Sequence, residues 1–469
     1  MPVEALHFLH FVPIWNSLVR SARGAAAGRT RAALHFLQFV PFLVTCSLLS
    51  APAEARESPR ADRLKADVET LVGFGTRHTL SSPTDPKRGI GAARRWFAAE
   101  LGRIGAGCGD CITVANLART MTAPRAPDGV EIVDVLGFQK GRDPRRVVII
   151  MGHIDSRVTD VMDATADAPG ANDDASGVAL VLEAARILSK EQFDATIVYA
   201  ALSGEEQGLM GAQLLAETAR ERGWTVSAVL NNDIVGNTVG TDGRRVADRV
   251  RVFSEAIRAS EDLPGQLARR GSGGEADGPS RALARAVGEV AAADPGGLDA
   301  FLVGRPDRFG RGGDHEAFLR LGYPAVRFSV GVENYDAQHQ DLRTENGRTY
   351  GDTAARMDFP YLAKVTALNI AAAARLAAAP AAPAGATIAG ALGSDTTVRW
   401  QPVANAAGYR IRWRRNDRPG WTDRLDLPAG ITEHVLQGVI VDDHFVGVSA
   451  LAKDGAESLT TFAGAAPRQ

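Results

Sequence analysis

The sequence predicts an α/β fold, with a mostly parallel sheet and helices on both faces, followed by a small all-β sandwich. Apolar β-branched runs alternate with amphipathic helical segments over most of the chain, as in βαβ units. A Pro/Ala-rich linker, "APAAPAGA", comes next, and short alternating runs follow it at the spacing of a sandwich. We therefore predict a first domain at residues 56–379, and a linker and second domain at residues 380–469.

The first 55 residues predict an export signal. "ALHFLHFVP" returns as "ALHFLQFVP", with a basic stretch between the copies, and the second copy runs through an apolar core to Ala53 and Ala55 in A-x-A spacing. We expect a secreted or periplasmic protein, cleaved near Ala55, with no stable membrane span afterwards. A membrane anchor is the alternative, but the apolar run is short and contains Pro41. Lipid attachment at Cys46 is a second alternative.

Composition and charge exclude one class of partner. The 469 residues are 45% hydrophobic and 23% charged, as in ordinary globular proteins, and the formal net charge of -2 gives no reason to expect nucleic-acid binding. Two cysteines remain after the signal, Cys108 and Cys111 in "GCGDC". In an exported protein this spacing predicts a local disulfide. The oligomeric state stays open.

Each element of the first domain has its own signal. Two amphipathic helices come first, "ADRLKADVETLVGF" and "GIGAARRWFAAELGRIG", the second closed by Gly105. Four buried strands are predicted, "RRVVIIMG", "ATIVYAALSG", "VSAVLNND" and "YPAVRFSV". Two further helices, "SGVALVLEAARILSK" and "LMGAQLLAETARERG", connect the first three strands. Residues 240–300, rich in Gly, Arg and Asp, are interpreted as an excursion between strands.

Acidic and imidazole side chains follow the predicted strands. Open parallel sheets place their sites at the carboxyl ends of strands. Side chains of this kind are rarely buried unless they are paired or bound to metal. The residues at these ends are His153, Asp155, Asp173, Asp174, Glu205, Glu206, Asp233 and His339.

A pair of divalent metal ions is the counter-charge that we favour. Arg157 is the one arginine that directly follows these strand ends. Oxygen and imidazole ligands suit zinc, cobalt or manganese, and three carboxylates facing two such ions leave one positive charge for a bridging hydroxide. Asp173, central in the set, is the natural bridge. The predicted ligands are His153, Asp173, Glu206, Asp233 and His339.

Two remaining acids have predicted catalytic roles. If Glu206 binds metal, Glu205 can face the bridging water and act as general base. Asp155 lies two residues after His153 on the same side of an extended chain, where it can accept the imidazole N–H. Asn172 and Asp174 are expected to orient Asp173 and cap the helix behind it.

Six motifs together resemble the co-catalytic di-zinc exopeptidases: "GHIDS", "PGANDDASG", "SGEEQGLMGA", "NNDIVGN", "GGDHEAF" and "QHQDL". This family includes bacterial leucyl aminopeptidases, aminopeptidase Y and glutamate carboxypeptidase, and the resemblance covers roughly residues 60–375. It implies one zinc on His153 and Asp233 and another on Glu206 and His339. Asp173 is the implied bridge, with an often cis peptide after it, and His315 is implied to lie beside the ligands.

The expected activity is hydrolysis of peptide bonds by a zinc-dependent exopeptidase, with an aminopeptidase favoured. The expected cofactor is two Zn2+ per chain, with Co2+ or Mn2+ as substitutes, and the expected nucleophile is a metal-bridging hydroxide with Glu205 as base. A glutaminyl cyclase-like aminoacyltransferase with one zinc is an alternative, and an inactive binding protein of the same fold is another. The full five-ligand set favours hydrolysis. Carboxypeptidase activity and the preferred substrate side chain stay open.

The C-terminal stretch resembles a fibronectin type III domain. "TTVRWQPVANAAGYRIRWR" and "HFVGVSALAKDGAES" occur in the order that such domains have. Trp400 and Tyr409 are predicted to be core residues of this sandwich. His78, in "GTRHTL" of the first domain, is interpreted as structural or surface-exposed, with no functional role.

Overall fold

The computed structural model describes residues 56–294 and 297–466, which belong to one compact unit, Arg56–Gln469. Residues 1–55, on which the export prediction depends, lie outside the described residues, so that prediction stays a prediction. Within the described ranges, no helix has both the length and the hydrophobicity that a membrane crossing requires.

The helices and strands of the described residues are numbered in chain order. The helices are α1 Ala61–Val72, α2 Gly89–Gly107, α3 Ala175–Leu188, α4 Met210–Glu221, α5 Leu263–Gly271, α6 Pro279–Ala292, α7 His315–Arg320 and α8 Phe359–Ala378. The strands up to α8 are β1 Ile112–Ala123, β2 Ala126–Gln139, β3 Asp143–His153, β4 Ala195–Leu202, β5 Thr225–Asn232, β6 Arg249–Phe253, β7 Asp299–Val303, β8 Ala325–Val330, β9 Arg343–Glu345 and β10 Arg348–Tyr350. The C-terminal strands are β11 Thr387–Ala389, β12 Thr396–Arg399, β13 Gly408–Arg415, β14 Asp423–Pro428, β15 Glu433–Leu436, β16 His444–Leu451, β17 Thr461–Phe462 and β18 Gly464–Ala465.

The large sheet has eight strands in the order β1-β2-β4-β3-β5-β8-β6-β7. Its centre is parallel, because β3 pairs parallel with β4 and β5, and β5 pairs parallel with β8. Antiparallel pairs lie outside it, between β1 and β2, β2 and β4, and β6 and β8. The α/β prediction is confirmed, and the sheet is mixed around a parallel centre.

Helices cover both faces of this sheet, as predicted. Along β3, Val148 and Ile150 pack in the cluster that includes α3 and α8, whereas Ile149 and Met151 pack in the cluster that includes α4 and α7. Successive side chains of a strand point to opposite faces, so a strand covered on both faces is apolar throughout. This is why the central strands are the ones that the sequence predicts best.

The structure corrects the prediction for residues 240–300. This segment is more than an excursion, because β6 lies inside it and pairs with β8, and β7, which begins at Asp299, pairs with β6. The helix predicted to close at Gly105 runs to Gly107, with Cys108 as its C-cap. The predicted disulfide between Cys108 and Cys111 is present and ties the end of α2 to the start of β1.

The C-terminal residues form two four-stranded sheets, ordered β15-β12-β11-β18 and β14-β13-β16-β17. Trp400 and Tyr409 are buried between them with their rings 5.4 Å apart, so their prediction as core residues is confirmed. The proposed domain boundary falls between the end of α8 at Ala378 and the start of β11 at Thr387. The division itself stays a prediction.

The sandwich packs on the first domain at the amino ends of the central strands. A cavity of about 510 Å³ lies there, lined by Thr225 at the start of β5, by Pro324 just before β8, and by Thr460 and Phe462 of the sandwich. Phe462 also packs so closely on Gly274 that a Cβ at that position would lie 2.6 Å from its ring. The carboxyl ends of the strands, at the opposite edge, are left to the site described next.

Candidate metal centre

The parallel register of β3, β4 and β5 brings the predicted site residues to one edge of the sheet. His153 ends β3 and pairs with Leu202, the last residue of β4. Glu205 and Glu206 follow β4, and Asp233 follows β5. Because parallel strands in register end together, residues far apart in the sequence meet here.

The first group of ligand atoms comes from His153, Asp173 and Asp233. His153 Nε2 lies 3.1 Å from Asp173 Oδ1 and 3.9 Å from Asp233 Oδ1. All three side chains are buried. The second group comes from Asp173, Glu206 and His339. His339 Nε2 lies 2.9 Å from Asp173 Oδ2 and 2.9 Å from Glu206 Oε1.

These separations fit ligands that share an ion. Tetrahedral ligands at about 2.1 Å from zinc lie about 3.4 Å from one another, which falls between the 2.9 Å and 3.9 Å separations found across the two groups. His153 Nε2 and Glu206 Oε1 are also buried and make no hydrogen bond of ordinary geometry to another described residue. Buried polar atoms are normally satisfied, so unpaired ones at this edge suit ligands of a cation.

Hydrogen bonds fix the segment "GANDDASG" both before and after Asp173. The Asp352 carboxylate accepts the backbone N–H of Asn172 at 2.9 Å and that of Asp173 at 2.7 Å. Asp174 caps α3 by accepting the Gly177 N–H at 3.0 Å, as predicted. The Asp173–Asp174 peptide is cis, as the family resemblance implies. Asn172, by contrast, holds the loop after β5 through its side chain instead of capping α3.

The raised pKa values of His153 and His339 indicate that the site favours positive charge. Burial lowers the pKa of His339, but the carboxylates of Glu206 and Asp173 outweigh it and raise that pKa to about 10. Burial likewise opposes the upward shift of the His153 pKa, and the carboxylates of Asp155, Asp173 and Asp233 outweigh it. An imidazole that holds a proton so firmly occupies a place where a cation is favourable.

Glu205 lines the same pocket as the ligands. Burial raises its pKa to about 8; the His153 imidazole opposes the shift and the Glu206 carboxylate adds to it. A carboxyl group whose pKa lies near neutrality can exchange a proton with water under working conditions.

The Asp155 carboxylate does not make the predicted hydrogen bond to the His153 imidazole. The closest partner of His153 Nδ1 is the backbone carbonyl of Asp155, at 3.1 Å, and the carboxylate is 3.6 Å away. That carboxylate accepts instead from Thr79 Oγ1 at 2.9 Å and from the backbone N–H of Glu206 at 3.1 Å and of Glu205 at 3.3 Å. Burial raises the pKa of Asp155, but His153 and these donors outweigh it, so the group stays ionised. Asp155 therefore links the end of β3 to the segment that carries Glu205 and Glu206.

The sequence did not predict that an arginine forms an ion pair with Asp233, one of the proposed ligands. Arg327, in the middle of β8, is fully buried and lies 2.9 Å from Asp233. Its position inside an apolar run gave no sign that it reaches the site. Arg157, which the sequence did single out, lies 2.8 Å from Glu206, and its Nη2 lies 2.6 Å from His339 Nδ1.

Two further residues near the site, Asp352 and Asp314, carried weak or no sequence signals, and two histidines that the sequence singled out lie apart from the ligands. Asp352 accepts the backbone N–H of Asp173, but it lies outside the six motifs, ten residues after "QHQDL". Asp314, in "GGDHEAF", is buried without a hydrogen-bond partner among the described residues, and burial first and the Glu205 carboxylate second raise its pKa well above its usual value. His315 lies outside both ligand groups and contacts the Pro306 carbonyl at 2.7 Å. His78 is buried and contacts the Val161 carbonyl at 2.9 Å, which makes it structural.

Comparison with known proteins decides the family. A family model described as Peptidase family M28 matches residues 134–373, a stretch that contains every residue of both ligand groups. The chain belongs to peptidase family M28.

Two proteins similar in sequence to this M28 peptidase support the same assignment, and the chain is also similar to a solved structure. A probable zinc metalloprotease of Leptosphaeria maculans is 43% identical over 412 residues, which cover 87% of this chain and 95% of that protein. A probable zinc metalloprotease of Pyricularia oryzae is 42% identical, over 85% of this chain and 82% of that protein. The solved aminopeptidase of Aneurinibacillus sp. strain AM-1 has a TM-score of 0.48 and 16% identity, covering 68% of this chain and 94% of that one. The prediction of a metallopeptidase that acts on peptides is confirmed at the level of the family.

Proposed function

We propose that this M28 peptidase is a zinc-dependent aminopeptidase with two zinc ions per chain. The observation that carries the proposal is the position of Asp173, whose two oxygens face two separate groups of ligand atoms. A carboxylate in that position suits a bridge between two cations. The names of the relatives, zinc metalloproteases, support zinc as the metal.

The residues present would hold the ions and move a proton. His153 and Asp233 would hold one ion, Glu206 and His339 the other, and Asp173 both. Bound zinc would polarise the scissile carbonyl and lower the pKa of water. Glu205, whose pKa is raised to about 8 by burial, would take a proton from the attacking water and deliver it to the leaving amine. Nearby cations would bring its pKa down towards neutrality.

Asp155 would position this machinery without touching the substrate. Its carboxylate accepts the backbone N–H groups of Glu205 and Glu206. Fixing this backbone would let Glu206 face the ion while Glu205 faces the water. Contacts that orient ligands commonly contribute about 10- to 100-fold to metal affinity or activity.

The test combines metal content with one substitution. Purified protein should contain two zinc ions per chain and hydrolyse amino-acid anilides, and a chelator should abolish hydrolysis until zinc is restored. Glu205→Gln should keep both ions and lose roughly 100- to 10,000-fold in kcat. Glu221→Gln, an exposed glutamate of α4, is the matched control and should behave as wild type.

Two results would contradict the proposal. Turnover of Glu205→Gln at the wild-type rate would reject Glu205 as the base. One zinc per chain, with cyclisation of N-terminal glutamine and no peptide hydrolysis, would favour the glutaminyl cyclase alternative.

We also propose that residues 1–55 direct export and are removed near Ala55, which would make the mature protein secreted or periplasmic. The Cys108–Cys111 disulfide supports this, since such bonds persist mainly in oxidising compartments. Mass spectrometry of the mature amino terminus tests it, and a mature chain that starts with acylated Cys46 would favour the lipoprotein alternative.

For the C-terminal sandwich we propose a fibronectin type III-like domain. The support is its strand order, with β11, β12 and β15 in one sheet and β13, β14 and β16 in the other. Greek-key sandwiches with this division of strands serve many roles, so the order indicates architecture only.

A further inference from the structure

The pocket over the proposed metal ligands has a cationic lining. It has a volume of about 380 Å³, and Leu209 is the one apolar side chain among the described residues that line it. Every carboxylate in the lining belongs to the proposed ligand and base set: Asp173, Glu205, Glu206 and Asp233. The other charged lining residues are Arg125, Arg157, Arg308 and Arg311. Once cations bind the carboxylates, guanidinium groups are the charged groups that a substrate meets.

Arg308 and Arg311 are held in place by a fixed loop, residues 304–313. Arg327 anchors it, with Nη1 2.9 Å from the Gly312 carbonyl and 3.0 Å from Asp307. His315 anchors it a second time through the Pro306 carbonyl. The loop therefore presents its arginines to the pocket from a defined backbone.

These arginines outnumber the carboxylates available to neutralise them. Glu333 is shared by three guanidinium groups, those of Arg251 at 2.6 Å, Arg311 at 3.0 Å and Arg308 at 3.3 Å. Asp307 is shared as well, by Arg308 at 2.9 Å and Arg327 at 3.0 Å. Arg125 is exposed, donates to the Glu206 backbone carbonyl at 2.7 Å, and has no carboxylate within 4.0 Å among the described residues. A pocket with surplus guanidinium charge and one apolar side chain in its described lining is suited to a carboxylate, which arginine binds through paired hydrogen bonds.

We propose that Arg311 and Arg125 bind a carboxylate of the substrate, so that the enzyme prefers peptides with a negative charge beside the scissile bond. This inference rests on the proposed peptidase function and names its substrate class. The carboxylate has two sources, an acidic side chain next to the bond or the free carboxyl terminus of a short peptide.

Matched substrate pairs test the preference with the zinc-loaded enzyme. Glu-Ala-amide against Gln-Ala-amide places the charge before the bond, and Ala-Glu-amide against Ala-Gln-amide places it after. Ala-Ala against Ala-Ala-amide tests the free carboxyl terminus. Each pair differs by one charge at nearly constant shape, and at least one charged member should show kcat/KM about tenfold higher, as expected of a charge-assisted hydrogen bond. The pair that responds identifies the source.

Substitution of the arginines tests the assignment. Arg311→Gln and Arg125→Gln should each reduce the charged-to-neutral ratio of kcat/KM towards one, mainly through KM. Arg305→Gln is the matched control, because Arg305 lies on the same loop, stacks on Phe309 with its guanidinium carbon 5.4 Å from the ring centroid, and is not among the lining residues. Thermal unfolding of each variant separates loss of selectivity from loss of fold.

Failure of the inference and failure of the proposed function have different signatures. If every pair is hydrolysed with ratios near one, or if both pocket variants keep the wild-type ratio, the inference is overturned and the peptidase function stands. If no peptide is hydrolysed at all by zinc-loaded enzyme, the proposed function and the inference that rests on it both fall.

Discussion

Asp134 is a single buried acid whose protonation state affects the stability of the fold. Its carboxyl group lies in β2 with no solvent exposure, accepts the Ser203 N–H at 2.9 Å, and has one oxygen without a partner among the described residues. Burial raises its pKa to about 7, although the Ser203 N–H and the Arg94 guanidinium act in the opposite direction. An acid of this kind stabilises the fold most when it carries its proton.

We expect Asp134→Asn to remove a pH dependence of stability. The unfolded side chain has a pKa of about 4, so between pH about 4 and about 7 the folded state binds more protons. Wild-type stability should therefore fall as pH rises through this window, by at most about 4 kcal/mol relative to the variant, and the difference should level off above it.

Denaturant unfolding at pH 5 and pH 8 measures this difference. Asp128→Asn, an exposed aspartate of the same strand, is the control and should run parallel to wild type. Parallel curves for Asp134→Asn as well would contradict the assignment of a raised pKa.

Helix α3 shows what the site requires of an element. Its first turn approaches the strands so closely that a Cβ on Gly177 would lie 2.2 Å from the Asn232 carbonyl oxygen, and one on Gly152 of β3 would lie 2.8 Å from the Asp174 carboxylate. This approach places the amino end of α3, and with it the Asp173–Asp174 segment, over the ends of β3 and β5. Glycine is required at both positions because backbone atoms and the Asp174 carboxylate fill the space that a Cβ would occupy.

We expect Gly177→Ala to push α3 away from the sheet. The substitution should lower the free energy of unfolding by about 1–3 kcal/mol, as for other overpacked positions, and reduce zinc retention during dialysis. Gly102→Ala is the matched control, because a Cβ there has no atom within 4 Å on an exposed face of α2. It should stabilise the protein by up to about 1 kcal/mol. Equal effects of the two alanines would show that close approach is not the reason for Gly177.

The elements that the sequence predicted, and those that it did not, differ in burial. The strands β3, β4 and β8 are buried along their length or nearly so, and their apolar runs are unmistakable. The strand β1 alternates exposed and half-buried residues with little apolar contrast, and β7 is a five-residue edge strand with two exposed hydrophobic residues. β1 forms a hairpin with the next strand, β2, whereas β7 pairs with β6, on the other side of α5 and α6 in the sequence, and no local pattern contains that pairing.

The residues of the candidate site divide in the same way, into those with a local sequence signal and those without one. His153 and Asp233 could be predicted because they stand at the ends of recognisable strands, and Asp173 because it comes just before a recognisable helix, and all three lie inside motifs. Arg327 and Asp352 could not, because each acts through a contact with a residue more than ninety positions away. The five proposed ligands meet in two groups, and their roles await the metal analysis described above.

At the scale of the whole molecule, the sandwich is joined to the first domain by buried charges. Arg414 of β13 makes a two-pronged contact with Asp277, at 2.7 and 2.9 Å, and both side chains are almost fully buried. Arg285 of α6 contacts the same carboxylate at 2.7 Å. Arg412 of β13 contacts Glu289 of α6 at 2.9 Å, and Arg375 of α8 lies 3.6 Å from Glu457 of the sandwich. The sandwich is thus fixed to α6 and α8.

We expect Arg414→Met to lower stability by about 3–5 kcal/mol, because it leaves a buried carboxylate with one partner fewer. Arg399→Met, which breaks the exposed pair with Glu433 inside the sandwich, is the control and should cost under about 1 kcal/mol. Calorimetry should show one unfolding transition for wild type and separated transitions for Arg414→Met. A single unshifted transition in the variant would show that this contact does not couple the two parts.

The seat of the sandwich at the amino ends of β5 and β8 has a practical consequence. The candidate site opens at the far edge of the sheet, so a bulky label attached to the sandwich should leave diffusion of substrate unhindered. Attachment at the sandwich should keep the candidate site accessible to the solution.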